Sequence, residues 1–269
     1  CNQTVTVVDT QNPTITCPAN VTNVPADAGQ CYATGVSLGT PTTADNCAVA
    51  TVTNNAPAQF PVGTTTVIWT VTDVHGNTAT CNQTVTVVDT QNPTITCPAN
   101  VTNVPADAGQ CYATGVALGT PTTGDNCGVA TVTNNAPAQF PVGTTTVIWT
   151  VTDVHGNTAT CNQTVTVVDT QNPTITCPAN VTNIPADAGQ CYATGVALGT
   201  PTTADNCGVA TVTNNAPAQF PVGTTTVTWT VTDVHGNTAT CNQTVTVVDT
   251  QNPTITCPAN VTNVPADAG

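Results

Sequence analysis

The sequence predicts an all-β fold of tandem antiparallel β-sandwiches, and three observations carry that reading. Residues 1 to 80 recur as 81 to 160 and 161 to 240, and a fourth copy starts at Cys241. Only five of the 80 positions ever change: Val24 becomes Ile184, Ser37 becomes Ala117 and Ala197, Ala44 becomes Gly124, Ala48 becomes Gly128 and Gly208, and Ile68 becomes Thr228. Within a copy, apolar and polar residues alternate at a period of two, and no stretch carries helical spacing. Clusters of Gly, Pro, Asn and Asp interrupt the alternation at short intervals, which divides each copy into about seven short strands.

Taken in order, the first copy offers strands at Pro13 to Cys17, Val21 to Val24, Tyr32 to Leu38, Val49 to Thr53, Gly63 to Asp73 and Thr78 to Asp89. The turns between them are Pro18-Ala19-Asn20, Pro25-Ala26-Asp27-Ala28-Gly29, Gly39-Thr40-Pro41, Asn54-Asn55-Ala56-Pro57, Pro61-Val62-Gly63 and His75-Gly76-Asn77. In Gly63 to Asp73 the alternation puts Val67, Trp69 and Val71 on the core face. Ile68, Thr70 and Thr72 fall on the wet face, where Thr228 in a later copy shows that a hydroxyl is tolerated. In Thr78 to Asp89, Cys81, Val85 and Val87 turn inward and Asn82, Thr84 and Thr86 outward. Thr makes up 19 of the first 80 residues, and its β-branched, uncharged side chain suits a pleated surface in water.

The chain has no Lys, Arg, Glu or Met, and its 14 acidic residues are all Asp, for a formal charge of −14. Without a cationic side chain, nucleic acid and anionic lipid have no electrostatic hold on it. The acids can be neutralised only by solvent cations, and Ca²⁺ is the one that favours several carboxylate and carbonyl oxygens. No other cofactor is required.

Fourteen Cys at fixed offsets read as a disulfide framework formed in an oxidising compartment. Zinc would want Cys pairs two to five residues apart, and here the neighbours are 14 and 16 apart. The Cys fall into three quartets: Cys17, Cys31, Cys47, Cys81; Cys97, Cys111, Cys127, Cys161; and Cys177, Cys191, Cys207, Cys241. Four Cys permit three pairings, and spacing does not choose among them. Cys1 and Cys257 are left over, so the 269 residues are expected to be a window on a longer array. The domain frame is then residues 1–10 as the last strand of a preceding repeat, complete repeats at 11–90, 91–170 and 171–250, and the start of another at 251–269. No apolar run reaches the roughly 18 residues of a membrane span.

Three signatures occur in fixed order in each copy: Asp9-Thr-Gln-Asn-Pro-Thr-Ile-Thr-Cys17-Pro18, then Ala44-Asp45-Asn46-Cys47, then Phe60-Pro-Val-Gly63-Thr-Thr-Thr-Val67 leading to Thr72-Asp73-Val-His-Gly76-Asn77-Thr-Ala-Thr-Cys81. Together they resemble the hyalin repeat, or HYR domain. The resemblance implies immunoglobulin-like sandwiches in a secreted extracellular or cell-surface protein of adhesion or matrix type, with no catalytic residues. Some members of the family carry only the equivalents of Cys17 and Cys81. That favours pairing Cys17 with Cys81 and Cys31 with Cys47, and likewise Cys97 with Cys161, Cys111 with Cys127, Cys177 with Cys241 and Cys191 with Cys207.

Asp9, Asp45 and Asp73 are expected at one end of the domain, where it meets the preceding one. There, with Asn46 or Asn77, they are candidates to hold Ca²⁺. Asp89, Asp125, Asp153 and Asp169, Asp205, Asp233 repeat the set. The competing role for each Asp is to cap a turn through Asx hydrogen bonds. His75, His155 and His235 read as exposed turn residues, and Asn2, Asn20, Asn82 and their equivalents match the N-glycosylation acceptor pattern. Ser37 is the only Ser and is replaced in later copies, so no nucleophile–base pair is visible.

The function expected is structural: an extracellular stalk or filament segment that gains roughly 35–40 Å per copy. Its partners would be the flanking repeats and further copies of itself, associating into a fibre or bundle. The rival is a glycan- or ligand-binding adhesion module that uses repetition for avidity.

Overall fold

The computed structural model describes residues 1–265, all of whose regular structure is β. Among those residues no helix is long and apolar enough to cross a membrane. The backbone groups into two compact units. The first comprises Cys1–Thr102, Ala117–Ala138 and Thr144–Val165, and the second comprises Asn103–Val116, Gln139–Gly143 and the chain from Thr166 onward.

In the first unit the complete repeat contains eight strands: β1 Thr14–Thr16, β2 Val21–Pro25, β3 Tyr32–Ala33, β4 Thr42–Ala44, β5 Val49–Asn54, β6 Phe60–Pro61, β7 Gly63–Asp73 and β8 Thr78–Val88. A four-stranded sheet in the order β2-β8-β7-β5 faces two short pairs, β1 with β4 and β3 with β6. Pairing is antiparallel except between β2 and β8, which run parallel, with Val21 opposite Val85 and Val24 opposite Val87. A register shift between Val21 and Val24 marks a bulge. Asn23 occupies it at φ 57°, a left-handed conformation that Asn tolerates.

The long hairpin follows the predicted alternation. Val67 and Val71 are fully buried and Trp69 is 7% exposed, whereas Ile68 on the opposite face is 41% exposed. Trp69, Val67, Val85 and Val87 pack with Phe60 and Ala33 into one core, which Ile15, Leu38 and the Cys17–Cys81 pair help to close. At its centre lies Gln83, fully buried. Its Oε1 accepts the indole N–H of Trp69 at 3.0 Å, and its Nε2 donates to Ala19 O at 2.7 Å and Leu38 O at 2.8 Å. Every buried polar atom of that amide thus has a partner, which is the condition for burying one without penalty.

The expected strand Tyr32 to Leu38 stops at Ala33. Thr34 turns its N–H and hydroxyl onto Asp27 Oδ2, and Gly35 at φ 62° takes the chain away. Thr42–Ala44 and Phe60–Pro61 are strands too short for alternation to reveal. The second unit contains the same repeat, with a sheet in which Val181–Pro185, Thr238–Val248, Gly223–Asp233 and Val209–Asn214 are successive neighbours. Residues 1–13 and 249–265 carry no strand.

Candidate metal centre in the junction loops

β7 ends at Asp73, and its far end begins at Gly63, so the two ends of the sheet carry different loops. The Asp73 end holds the β7–β8 turn and the β4–β5 loop: Val74 N donates to Ala48 O at 3.1 Å. The Gly63 end holds Cys31, whose carbonyl accepts from Val62 N at 3.2 Å. Eleven strand residues separate these ends by roughly 35 Å. Cys31 therefore lies out of reach of Cys47, and the expected Cys31–Cys47 pairing is corrected. Cys31 bonds to Cys127 in the next repeat, 96 residues on, and in the second unit Cys111 bonds to Cys207 at the same separation. The other three bridges are Cys17–Cys81, Cys97–Cys161 and Cys177–Cys241. Cys1, Cys47, Cys191 and Cys257 are free and exposed. The expected pairings Cys111–Cys127 and Cys191–Cys207 are corrected too, because Cys127 bonds to Cys31 and Cys111 to Cys207.

The Asp residues converge at these junctions. In the first unit a carboxylate oxygen from each of Asp89, Asp125 and Asp153 lies within 4.8 Å of the others, and Asp9, Asp45 and Asp73 form the same group. Asp89 follows β8 and is 8% exposed. Its Oδ1 accepts Gln91 N at 3.1 Å and Asn126 Nδ2 at 3.3 Å, and its carbonyl accepts Asn157 Nδ2 at 3.3 Å. Asp125 caps its own loop, its Oδ2 accepting Cys127 N at 2.8 Å and Gly128 N at 2.9 Å. Asp153 uses Oδ1 for His155 N and Asn157 N, and Oδ2 for Asn157 Nδ2. Burial pulls the Asp153 carboxyl up, but the bonds from the Asn157 side chain and the turn N–H groups outweigh it and hold the pKa below the usual carboxylate value. Asp73 and Asp233 are lowered for the same reasons.

Turn capping thus accounts for one oxygen of Asp125 and leaves the other. Asp125 Oδ1, Asp89 Oδ2 and Asn126 Oδ1 are buried without a hydrogen-bond partner, as are Asp9 Oδ2 and Asp45 Oδ1 in the first set and Asp205 Oδ1 and Asn206 Oδ1 in the third. In the third set Asn206 Nδ2 donates to Asp169 Oδ1 at 3.2 Å, and Asn237 Nδ2 joins Asp233 Oδ2 to the carbonyl of Asp169. Three carboxylates this close repel one another, and the chain has no Lys or Arg to offset them. The nearest basic group is His155, with Nδ1 3.3 Å from Asp89 Oδ2. His75 and His235 stand 3.5 and 3.2 Å from Asp9 and Asp169. These His are more than free turn residues, and the sequence reading missed it because each carboxylate partner lies 66 residues upstream. Cys127 and Cys207 also border these groups but are committed to bridges. Apart from the His Nδ1 in each set and the free thiol of Cys47 in the first, the remaining donors are oxygens, the set preferred by a hard cation.

The two loops that meet at each bridged junction are also joined by hydrogen bonds. Asn126 Nδ2 donates to Gln30 O at 2.8 Å beside Cys31–Cys127, and Asn206 Nδ2 to Gln110 O at 2.8 Å beside Cys111–Cys207.

Comparison with known proteins adds the following. The family model described as the HYR domain matches residues 8–87, 88–167 and 168–247. Among curated proteins, Hyalin of Lytechinus variegatus is 35% identical over 219 residues, covering 77% of this chain and 41% of that protein. Hyalin of Strongylocentrotus purpuratus is 37% identical over 254 residues, covering 88% of this chain and 21% of that protein. The chain therefore spans less than half the length of either relative. Among solved structures, mouse Cadherin-23 EC22-24 superposes with a TM-score of 0.36 at 14% identity, covering 88% of this chain and 99% of that one. Drosophila N-cadherin EC1-4 gives 0.35 at 10% identity, covering 90% and 67%.

Proposed function

Because the chain belongs to the HYR domain family, in three tandem copies, we propose that it is a structural, non-catalytic segment of an extracellular fibre, stalk or filament at a cell surface, giving length and mechanical resistance in adhesion. The observation that carries this reading is the bridge pattern. Cys17–Cys81 closes a repeat on itself, and Cys31–Cys127 and Cys111–Cys207 tie each repeat to the next. A covalent link between neighbours contributes nothing to chemistry inside one domain, whereas a strained filament needs it. Five bridges among the described residues also fit an oxidising, extracellular setting. Two candidate nucleophiles do not favour catalysis. Ser37 has no counterpart in later copies, and the thiol of Cys47 is pushed up, first by its hydrogen bond to Asp9 and then by burial. The glycan-binding alternative is disfavoured because Trp69 and Phe60 are buried in the core.

Calcium belongs to this reading as the stiffener of the junctions. Asp89, Asp125 and Asn126 would hold it through the oxygens that no hydrogen bond engages, and Asp153 would add a carboxylate oxygen that also accepts from the turn. Asp9, Asp45, Asp73 and Asp169, Asp205, Asp233 form the equivalent sets. Extracellular calcium modules bind at about 10⁻⁴ to 10⁻³ M, so 10 mM CaCl₂, about 10 to 100 times Kd, stabilises the folded form by about 1.4–2.7 kcal/mol. For repeats of this size that is a rise in melting temperature of about 6–20 °C. Calorimetry and sedimentation in millimolar CaCl₂ and in EGTA test it, with Asp125→Asn as the variant that loses the response but melts normally in EGTA. Identical melting and sedimentation in the two buffers would remove calcium from the account and leave the bridge pattern standing.

A further inference from the structure

The sheet β2-β8-β7-β5 has two edge strands, and they are guarded unequally. β2 carries Pro25 and the bulge at Asn23, two features that keep a further strand from docking. β5, Val-Ala-Thr-Val-Thr-Asn, has no charge and no Pro, and every residue after Val49 is exposed. Its register shift lies between Val49 and Thr51 and leaves Thr51–Asn54 regularly paired with β7. The same strand recurs as Val129–Asn134 and Val209–Asn214. Uncharged, β-branched, Pro-free segments are those most prone to pair with another strand.

The hydrogen bonds say which groups this edge offers. Asn55 N donates to Ile68 O at 3.2 Å, so the backbone at position 55 faces β7. Antiparallel pairs alternate, which turns Thr53 and Thr51 toward β7 as well and points the N–H and C=O of Val52 and Asn54 away from the sheet. The side chain of Val52 shares a face with its register partner Val71, yet Val52 is 40% exposed where Val71 is fully buried. Val132 and Val212 repeat this at 40% and 38%. Unpaired backbone groups beside an uncovered Val make a template for one more strand.

Charge decides which strand fits. The Val49 end stands beside Asp73, its register partner, and near Asp45, whose Oδ2 accepts Ala48 N at 3.0 Å. The other end carries the uncharged Asn54 and Asn55. A parallel neighbour of the same kind would set one copy's carboxylates beside the other's, with no Lys or Arg to offset them. An antiparallel one sets them at opposite ends of the strand, about 17 Å apart, or about twice the Debye length in physiological salt. An uncharged edge calls for an uncharged strand, and the chain supplies one in each repeat.

We propose that β5 pairs antiparallel with β5 of a second copy, Val52 opposite Val52, joining two four-stranded sheets into one of eight. The Val52 N–H and C=O groups of the two copies then exchange hydrogen bonds, and the two Val side chains cover each other. Thr51 of one copy meets Thr53 of the other, extending the row in which Thr53 lies beside Thr70 and Thr70 beside Thr80. The proposal rests on the structural reading above and names how copies of the segment lie side by side.

The test uses the whole chain in EDTA, with Cys1, Cys47, Cys191 and Cys257 replaced by Ser to remove thiol cross-linking. Sedimentation velocity should show mass rising with concentration, and hydrogen exchange at the Val52 and Asn54 amides should slow in step. Val52→Pro with Val132→Pro and Val212→Pro deletes the outward N–H groups and keeps the bonds to β7, so association should be lost. Val52→Lys with Val132→Lys and Val212→Lys should abolish it too. Asn82→Lys with Asn162→Lys and Asn242→Lys adds the same charge on the outer face of β8 and should leave association intact. Circular dichroism matching the parent confirms that the variants fold. Stretching a single chain involves no second copy, so the bridge pattern stands or falls separately. Monomer at every concentration, association that survives both Val52 series, or an equal loss with Asn82→Lys would overturn the proposal.

Discussion

Replacing both members of the Cys31–Cys127 bridge by Ser isolates what the junction contributes to stability. The bridge spans 96 residues. With Cys17–Cys81 and Cys97–Cys161 still closed, however, the unfolded path between its ends shortens to roughly 60 residues, and the chain-entropy relation assigns it about 4 kcal/mol. The relation is logarithmic, so this shortening lowers the value by only about 0.4 kcal/mol relative to an unbridged chain. A repeat of about 80 residues has an m value near 3 kcal/mol per molar in guanidinium chloride, so the midpoint should fall by about 1.3 M. Trp69 and Trp149 are buried and report the transition by fluorescence under oxidising conditions. Cys47→Ser is the control: its thiol is already free and exposed, and the expected change is under about 0.5 kcal/mol. An unchanged midpoint in the double variant, or an equal fall in the control, would refute the claim that the junction is covalently fastened.

Two further outcomes follow from single side chains. Gln83→Ala strands the Trp69 indole N–H and the carbonyls of Ala19 and Leu38 in the core, which should cost about 3–4 kcal/mol and lower the melting temperature by about 15–25 °C in calorimetry; a fall below about 5 °C would contradict that network. Gly128 stands at φ 114° while Ala48, in the same place, is pushed to φ 151°. A Cβ on Gly128 would meet nothing closer than Val154 Cγ1 at 3.9 Å, so backbone strain alone should make Gly128→Ala lose about 1 kcal/mol and Ala48→Gly gain a similar amount in urea titrations.

Much of this was legible where strands are long. The alternation through Val67, Trp69 and Val71 identifies the core face because eleven residues give the period room to show. The convergence of Asp89, Asp125 and Asp153 was legible for a related reason: each stands at or just after a strand end, and antiparallel pairing brings alternate ends together. Cys31–Cys127 was not legible, because sequence spacing is silent about which end of β7 a loop occupies. Gln83 carried a signal that went unread: it holds an inward position between Cys81 and Val85, where a polar side chain needs partners from elsewhere in the fold. The His155–Asp89 approach joins residues from successive repeats, and no local pattern encodes it.

Pulling a single oxidised chain from its two ends tests the load-bearing claim most directly. Cys17–Cys81 locks 64 of the 80 residues out of the load path, so each repeat can lengthen only through the residues between Cys81 and Cys97 or their equivalents, to about 60 Å at most. Reduction frees the whole repeat, to about 280 Å. The account expects no long unfolding steps in the oxidised chain and steps approaching the longer value after dithiothreitol. Oxidised chains that extend in those long steps would contradict it.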